Sequence, residues 1–235
     1  VSAETVGDVG YLKVIRFARN THEDFEQALF ALREAGAKRF VLDLRGNGGG
    51  YLHAAVPMVE HFLEKGDLVV YTEGTAQPRR EYVTDRPGAF RSEPLVIMVD
   101  EGSASASEIF AGAIQDHDRG VVVGRRTFGK GLVQEEFPVA DRGALRLTVA
   151  RYYTPSGRSI QRPYGNGVDY EEEWRARGSG KQRTHLPHQP HRPNAAPPAA
   201  RPLACTRARR STAAATNAAI DRSVRALRDM TNIVS

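Results

Sequence analysis

Short, nearly continuous apolar segments that alternate with helical patterns constrain the fold of this chain more than any other feature. Residues 40–44 and 95–99 have strand length and are rich in Val, Leu and Ile, as expected of strands covered on both faces of a sheet. A glycine-rich or serine-rich turn follows each of them, and then apolar residues recur at helical spacing. Alternation with such short links predicts a mixed α/β (α+β) domain.

The same patterns predict the individual elements of this domain. A helix is expected to start at Thr21 as N-cap and to end at Gly36, with acidic residues in its first turn. Two more helices are predicted at 52–63 and 106–116. The predicted strands are residues 10–17, 40–44, 67–71, 81–84, 95–99 and 120–123, with a hairpin pair at 132–137 and 144–153.

The carboxy-terminal part of the chain has a different composition. From Arg175 to Arg210 there are nine Lys or Arg residues and no Asp or Glu, so the rest of the chain carries a net charge of −4. Residues 178–210 also hold six of the thirteen prolines and little apolar content. We therefore expect one domain at residues 1–174 and a largely disordered basic tail at 175–235, with an alanine-rich helix at 212–228.

This composition excludes several classes of function. The basic tail is not accompanied by a recognised nucleic-acid-binding motif, so we expect no specific nucleic-acid partner. The single cysteine, Cys205, lies in the tail and cannot form an intramolecular disulfide. His185, His188 and His191 are separated by prolines, which prevents a rigid metal site, and we expect no metal or organic cofactor. No apolar run reaches the length of a membrane span.

Ser105 is the first candidate for chemistry. It lies in the segment GSASASEI (residues 102–109), where a predicted strand gives way to a helix. The first N–H groups of a helix are unpaired and stabilise negative charge, and the N–H of Ala106 is one of them. A simpler interpretation is that the serine only caps the helix, with Ser105 and Glu108 forming a capping box.

Two further segments supply groups that a reactive serine needs. The run RGNGGG (residues 45–50) lets backbone N–H groups approach a substrate closely, although it is equally compatible with a tight turn. Lys130 lies between two glycines and is otherwise an ordinary surface lysine. It can act as a base if Phe128, Leu132 and Val133 exclude water and lower its pKa from about 10.4.

A Ser-His-Asp triad is the competing arrangement for Ser105. His117 lies twelve residues further along the same predicted helix, too far away for a hydrogen bond because a helix rises about 1.5 Å per residue. His53 is the other histidine that such a triad could use. The other charged candidates are expected to brace the turns rather than to react: Asp43, Arg45 and Asp116.

Four segments occur in this order along the chain: DLRGNGGG (43–50), GSASASEI (102–109), GRRTFGKGLVQ (124–134) and RYYTPSGRSIQ (151–161). Together they closely resemble the carboxy-terminal processing, or tail-specific, serine proteases, and the likeness covers about residues 9–170. The resemblance implies the crotonase-like β/α spiral core of that family. It also implies a Ser-Lys dyad in which Ser105 is the nucleophile, Lys130 the general base and Gln134 the residue that orients the lysine. The implied oxyanion-hole positions are Ala106, Gly50 and Gly49.

The activity implied by this resemblance is that of a serine endopeptidase which cleaves proteins near their carboxy termini. Its expected partners are unfolded or C-terminally exposed proteins, with a homo-oligomer as a candidate assembly and a bacterial periplasm or envelope as the location. The family usually carries a PDZ domain and a GGIxPD stretch, and we expect this chain to lack both. The alternative is a catalytically silent ligand- or peptide-binding module on the same scaffold. An acyl-CoA enzyme would rest on fold analogy alone.

Overall fold

The computed structural model describes residues 1–139 and 143–162. The predicted basic tail, its helix at 212–228 and the three tail histidines lie outside these residues. The helices of the described part are α1 (Thr21–Glu34), α2 (Leu52–Glu60) and α3 (Ala106–Asp116). Its strands are β1 (Ser2–Val6), β2 (Val9–Lys13), β3 (Arg39–Asp43), β4 (Leu68–Glu73), β5 (Arg80–Val83), β6 (Leu95–Val99), β7 (Val121–Gly124), β8 (Leu132–Val139) and β9 (Gly143–Tyr153).

A five-stranded sheet in the order β1-β2-β3-β6-β7 positions the functional segments. Strands β2, β3, β6 and β7 are parallel, and β1 is antiparallel to β2. The carboxyl ends of β3, β6 and β7 therefore meet at one edge of the sheet. Three connections leave from that edge: the glycine loop (45–50), the serine turn (100–105) and the lysine loop (125–131).

Helix α3 is anchored in the hydrophobic core. It packs against α2 and β4, and its residues from Ala106 to Ile114 are all buried. Phe110 contacts Phe25 and Phe62 edge to face, with ring centroids 6.4 and 6.1 Å apart. Such aromatic pairs each contribute about 0.5–1.5 kcal/mol beyond the area they bury. These contacts fix α3, the helix that follows Ser105, in the hydrophobic core.

The second sheet is antiparallel and has the order β5-β4-β9-β8. Its β8–β9 hairpin is the predicted one, and Tyr71 of β4 stacks on Tyr153 of β9 with ring centroids 5.0 Å apart. The lysine loop leads directly into β8, so this sheet carries Gln134. Within the described residues, no helix combines the length and the apolar character that a membrane crossing requires.

The mixed α/β architecture predicted from the sequence is confirmed, with local corrections. Helix α2 ends at Glu60, before the predicted residue 63. Strand β1 was not predicted, because all its residues are exposed and lack an apolar alternation. The N-cap of α1 is Asn20 rather than Thr21. The hydroxyl of Thr21 instead accepts the N–H of Ala18 at 2.9 Å and donates to the carbonyl of Arg16 at 3.1 Å.

Candidate active site

Ser105 differs from the two serines beside it in the serine turn. Ser103 and Ser107 are fully buried, and their hydroxyls donate to the carbonyl oxygens of Leu44 (2.7 Å) and Asn47 (2.9 Å). Ser105 is half-buried, and its φ of 55° and ψ of −114° are values that residues other than glycine rarely adopt. A sharp strand-to-helix turn of this kind presents the side chain at the top of the sheet. Of Ser103, Ser105 and Ser107, only Ser105 is thus not fully buried.

The glycine loop packs directly against the serine turn. The buried Asn47 joins the two: its carboxamide donates to the carbonyl of Val14 at 2.7 Å, and its own carbonyl accepts the N–H of Ala104 at 3.0 Å. Gly49 has a φ of +93°, and a Cβ on it would lie 2.5 Å from the carbonyl oxygen of Ala104 and 2.8 Å from the Cβ of Ser105. This close approach requires glycine. Sequence reasoning missed the role of Asn47, although its place inside the glycine run was a signal.

We expect Gly49→Ala to disrupt the site, because the added methyl group collides with backbone that is already fixed. Steric overlap and the left-handed φ together should lower the free energy of unfolding by about 2–4 kcal/mol. Gly48→Ala is the matched control, since a Cβ there meets no atom within 4 Å. Urea unfolding of both variants checks this, and equal stability losses would contradict the packing described here.

Ala106 and Gly50 each supply a backbone N–H at this edge of the sheet. The N–H of Gly49 donates to the Asn47 side chain at 2.9 Å, so it does not point to a substrate. Gly50 forms a parallel bridge with Phe17, in which the N–H of the neighbouring Tyr51 donates to the carbonyl oxygen of Phe17 at 2.9 Å. Because successive N–H groups of an extended segment point in opposite directions, the N–H of Gly50 points away from Phe17. Among the described residues, the N–H groups of Gly50 and Ala106 have no acceptor.

The lysine loop does not provide the apolar surroundings expected for Lys130. Lys130 is exposed, Phe128 is 45% exposed, and Leu132 and Val133 are only half-buried. The side chains of Ser105 and Lys130 form no direct hydrogen bond in this described part of the chain. In unliganded active sites such hydrogen bonds are often long and shorten when substrate binds.

The backbone of the lysine loop is nevertheless fixed to the core. The N–H of Phe128 donates to the carbonyl of Ser103 at 3.0 Å, and the N–H of Gly131 donates to the Gln161 side chain at 2.9 Å. Gln134 follows on β8, opposite Thr148, with its side chain exposed. The predicted base therefore lies in the loop that leads into the hairpin, and its predicted orienting residue lies on the first strand of that hairpin.

Glu108 lies beneath both the serine turn and the lysine loop. Its carboxylate is 3% exposed and accepts the backbone N–H groups of Ser105 (2.9 Å), Gly129 (2.6 Å) and Lys130 (2.8 Å). Burial raises the pKa of Glu108, and hydrogen bonds from the Thr127 hydroxyl and from these N–H groups oppose that rise. The sequence indicated only the contact with Ser105, as part of a capping box.

Asp43, the last residue of β3, braces the start of the glycine loop, as expected from the sequence. Its fully buried carboxylate accepts the backbone N–H and the guanidinium of Arg45 at 2.8–3.0 Å, the hydroxyl of Tyr11 at 2.7 Å and the ammonium of Lys13 at 3.2 Å. Burial alone would raise the pKa of Asp43, but the hydrogen bonds from Arg45 and Tyr11 outweigh it and lower the pKa to about 2. The group is therefore charged at neutral pH and structural.

The carboxyl end of α3 has its own brace. Asp116 accepts the N–H of Ser156 at 2.9 Å and its hydroxyl at 2.6 Å, and it pairs with Arg158. His117 caps the same end and contacts the carbonyl oxygen of Leu68 at 2.7 Å through its Nε2. Because Ser105 lies at the opposite end of α3, a triad through His117 is not formed. Within residues 1–139 and 143–162, His, Cys, Asp and Glu side chains form no cluster suited to a metal ion.

The sequence model of peptidase family S41 matches residues 8–173. A carboxy-terminal-processing protease of Bartonella bacilliformis is 44% identical over 160 residues, which are 66% of this chain and 37% of the relative. A chloroplastic C-terminal processing peptidase of Tetradesmus obliquus is 40% identical over 154 residues, which are 66% of this chain and 33% of the relative.

A solved structure agrees with these sequence matches. The photosystem II D1 C-terminal processing protease superimposes with a TM-score of 0.62 at 38% identity, over 65% of this chain and 39% of that protein. This likeness confirms the predicted fold class. The chain spans about a third of the length of the relatives it matches.

Proposed function

Because the chain belongs to peptidase family S41, we propose that it is a serine endopeptidase that uses a Ser105–Lys130 dyad. The observation that carries this proposal is the position of Ser105. It stands in a left-handed turn at the amino end of a buried helix, with a glycine loop pressed against it. A capping serine does not need this strained backbone, which costs about 1–3 kcal/mol.

In the proposed reaction, the uncharged amine of Lys130 removes the proton from the Ser105 hydroxyl as its oxygen attacks the scissile carbonyl carbon. The N–H groups of Ala106 and Gly50 donate to the carbonyl oxygen as it becomes negative. Each such donor contributes about 3–4 kcal/mol to the transition state. Lys130 then gives the proton to the leaving amine, and the acyl group remains on Ser105 as an ester.

The second half of the reaction releases the acyl group. Lys130 takes a proton from a water molecule, the water oxygen attacks the ester, and Ser105 regains its proton when the ester breaks. We assign the orientation of the Lys130 amine to Gln134.

We further propose that the substrates are proteins with accessible carboxy termini, because both relatives described above carry that activity in their names. The test is to incubate the full chain with an unfolded protein and to determine product masses. Products that retain the amino terminus and lose carboxy-terminal residues are expected. Trimming from the amino terminus would contradict the proposal.

The exposure of Lys130 is the observation that favours the second candidate, a module that binds such chain ends without cleaving them. The same incubation separates the two. A binder retains an intact substrate on a column of the immobilised chain, whereas a protease releases shortened products.

The bacterial periplasm or envelope remains our proposed location; the two relatives come from a bacterium and from a chloroplast.

A further inference from the structure

One buried carboxylate connects the two halves of the proposed dyad. Oxygen Oε2 of Glu108 accepts the backbone N–H of Ser105 at 2.9 Å and that of Lys130 at 2.8 Å. The other oxygen, Oε1, accepts the N–H of Gly129 at 2.6 Å. The nitrogens of Ser105 and Lys130 are thus held within two hydrogen-bond lengths of each other through a single atom.

A capping box does not account for these contacts. A capping box consists of two reciprocal hydrogen bonds: here the N–H of Glu108 donates to the side chain of Ser105, and the N–H of Ser105 donates to the carboxylate of Glu108. The N–H groups of Gly129 and Lys130 come from a loop more than twenty residues further along the chain. The carboxylate therefore does more than begin α3.

The placement of Glu108 also explains why a charged side chain is tolerated in the core. Three backbone N–H groups and the Thr127 hydroxyl surround it, and the amino end of a helix adds a partial positive charge. Hydrogen bonds to an ionised acceptor are roughly twice as strong as those between neutral groups. The Glu108 carboxylate therefore fixes the backbone of the serine turn and of the lysine loop more firmly than the packing of an apolar side chain would.

From these contacts we infer that Glu108 is the positioning residue that sets the distance between Ser105 and Lys130. The inference rests on the proposed function, because it assigns a role within that dyad. Glu108 touches no substrate; it acts through the backbone of the two residues that do the chemistry. A displacement of about 1 Å between reacting groups is enough to reduce a rate about 100-fold.

Glu108→Gln tests the inference with little change in size. The amide oxygen can keep the hydrogen bonds from Ser105 and Lys130, but the amide NH₂ then faces the N–H of Gly129, and two donors repel. We expect kcat of the full chain on an unfolded protein to fall about 100-fold while KM changes less than threefold. A kcat within threefold of the parent would overturn the inference.

Glu60→Gln is the matched control. Glu60 is also buried, and its carboxylate accepts the backbone N–H of Asp85 at 2.6 Å and the guanidinium of Arg86 at 2.9 Å, in another part of the fold. Both variants should lose stability in urea unfolding, but only Glu108→Gln should lose kcat. If Glu60→Gln loses kcat to the same extent, the effect is one of general stability and the inference fails.

Hydrogen exchange gives a second readout that does not depend on activity. The amides of Gly129 and Lys130 should exchange faster in Glu108→Gln than in the parent, and Glu60→Gln should leave them unchanged. Unaltered exchange in Glu108→Gln would overturn the inference. A parent that cleaves no faster than Ser105→Ala would instead refute the proposed function, and exchange at Gly129 and Lys130 would still decide whether Glu108 holds the lysine loop.

Discussion

Ser105→Ala is expected to lower the rate of peptide hydrolysis at least about a thousandfold, because it removes the only atom to which the acyl group is transferred in the proposed reaction. The fold should persist. Alanine keeps the backbone N–H that donates to Glu108 and loses only the side-chain half of the capping box, which costs about 0.5–2 kcal/mol. Initial rates and urea unfolding of the parent and the variant check both statements.

Ser103→Ala is the control within the same turn. Its hydroxyl donates to the carbonyl oxygen of Leu44, which also accepts the N–H of Asn47, and it accepts the N–H of Asp100 at 3.0 Å. Its loss therefore removes the hydroxyl partner of the part-buried Asp100 N–H. This should cost about 1–3 kcal/mol of stability while hydrolysis continues. A folded Ser105→Ala protein that hydrolyses peptides at the parent rate would remove Ser105 from the mechanism.

Lys130→Ala is the second change with a large expected effect. Loss of a general base reduces rates about 10²–10⁴-fold, and the exposed position should keep the change in stability within about 0.5 kcal/mol. Lys130→Arg distinguishes a base from a fixed positive charge, because arginine keeps its charge and cannot accept the proton. Both variants should therefore be equally inactive.

An exposed lysine far from the site provides the comparison for Lys130. Lys65→Ala lies after α2 and should match the parent in both rate and stability. Substantial activity in Lys130→Arg, together with none in Lys130→Ala, would mean that the lysine supplies charge only. The proposed proton transfer would then be wrong.

Much of the fold was predictable because the decisive signals are local. The apolar run of β6 and the spacing of Ile109, Phe110 and Ile114 in α3 gave these two elements their observed bounds. Strand β2 was predicted at 10–17 but ends at Lys13, since Phe17 makes only a single bridge to Gly50. The division into two sheets depends on pairing between distant strands, which no local pattern reports.

The site was predictable in its residue types but not in its contacts. The motifs placed Ser105, Lys130 and the glycines at chain positions that the parallel sheet then brings to one edge. The bridge through Glu108 joins segments that are distant in sequence, and the use of the Gly49 N–H by Asn47 is a detail of loop geometry. The exposure of Lys130 was also unpredicted, because neighbouring apolar residues in sequence need not surround it in space.

Detection of the acyl group on Ser105 tests the central claim most directly. The full chain is mixed with an activated peptide ester, the reaction is quenched in acid within one turnover, and the modified residue is found by peptide mapping. The dyad mechanism predicts an ester-linked acyl group on Ser105 in the parent and none in Ser105→Ala. An acyl group on another residue, or turnover by Ser105→Ala at the parent rate, would contradict it.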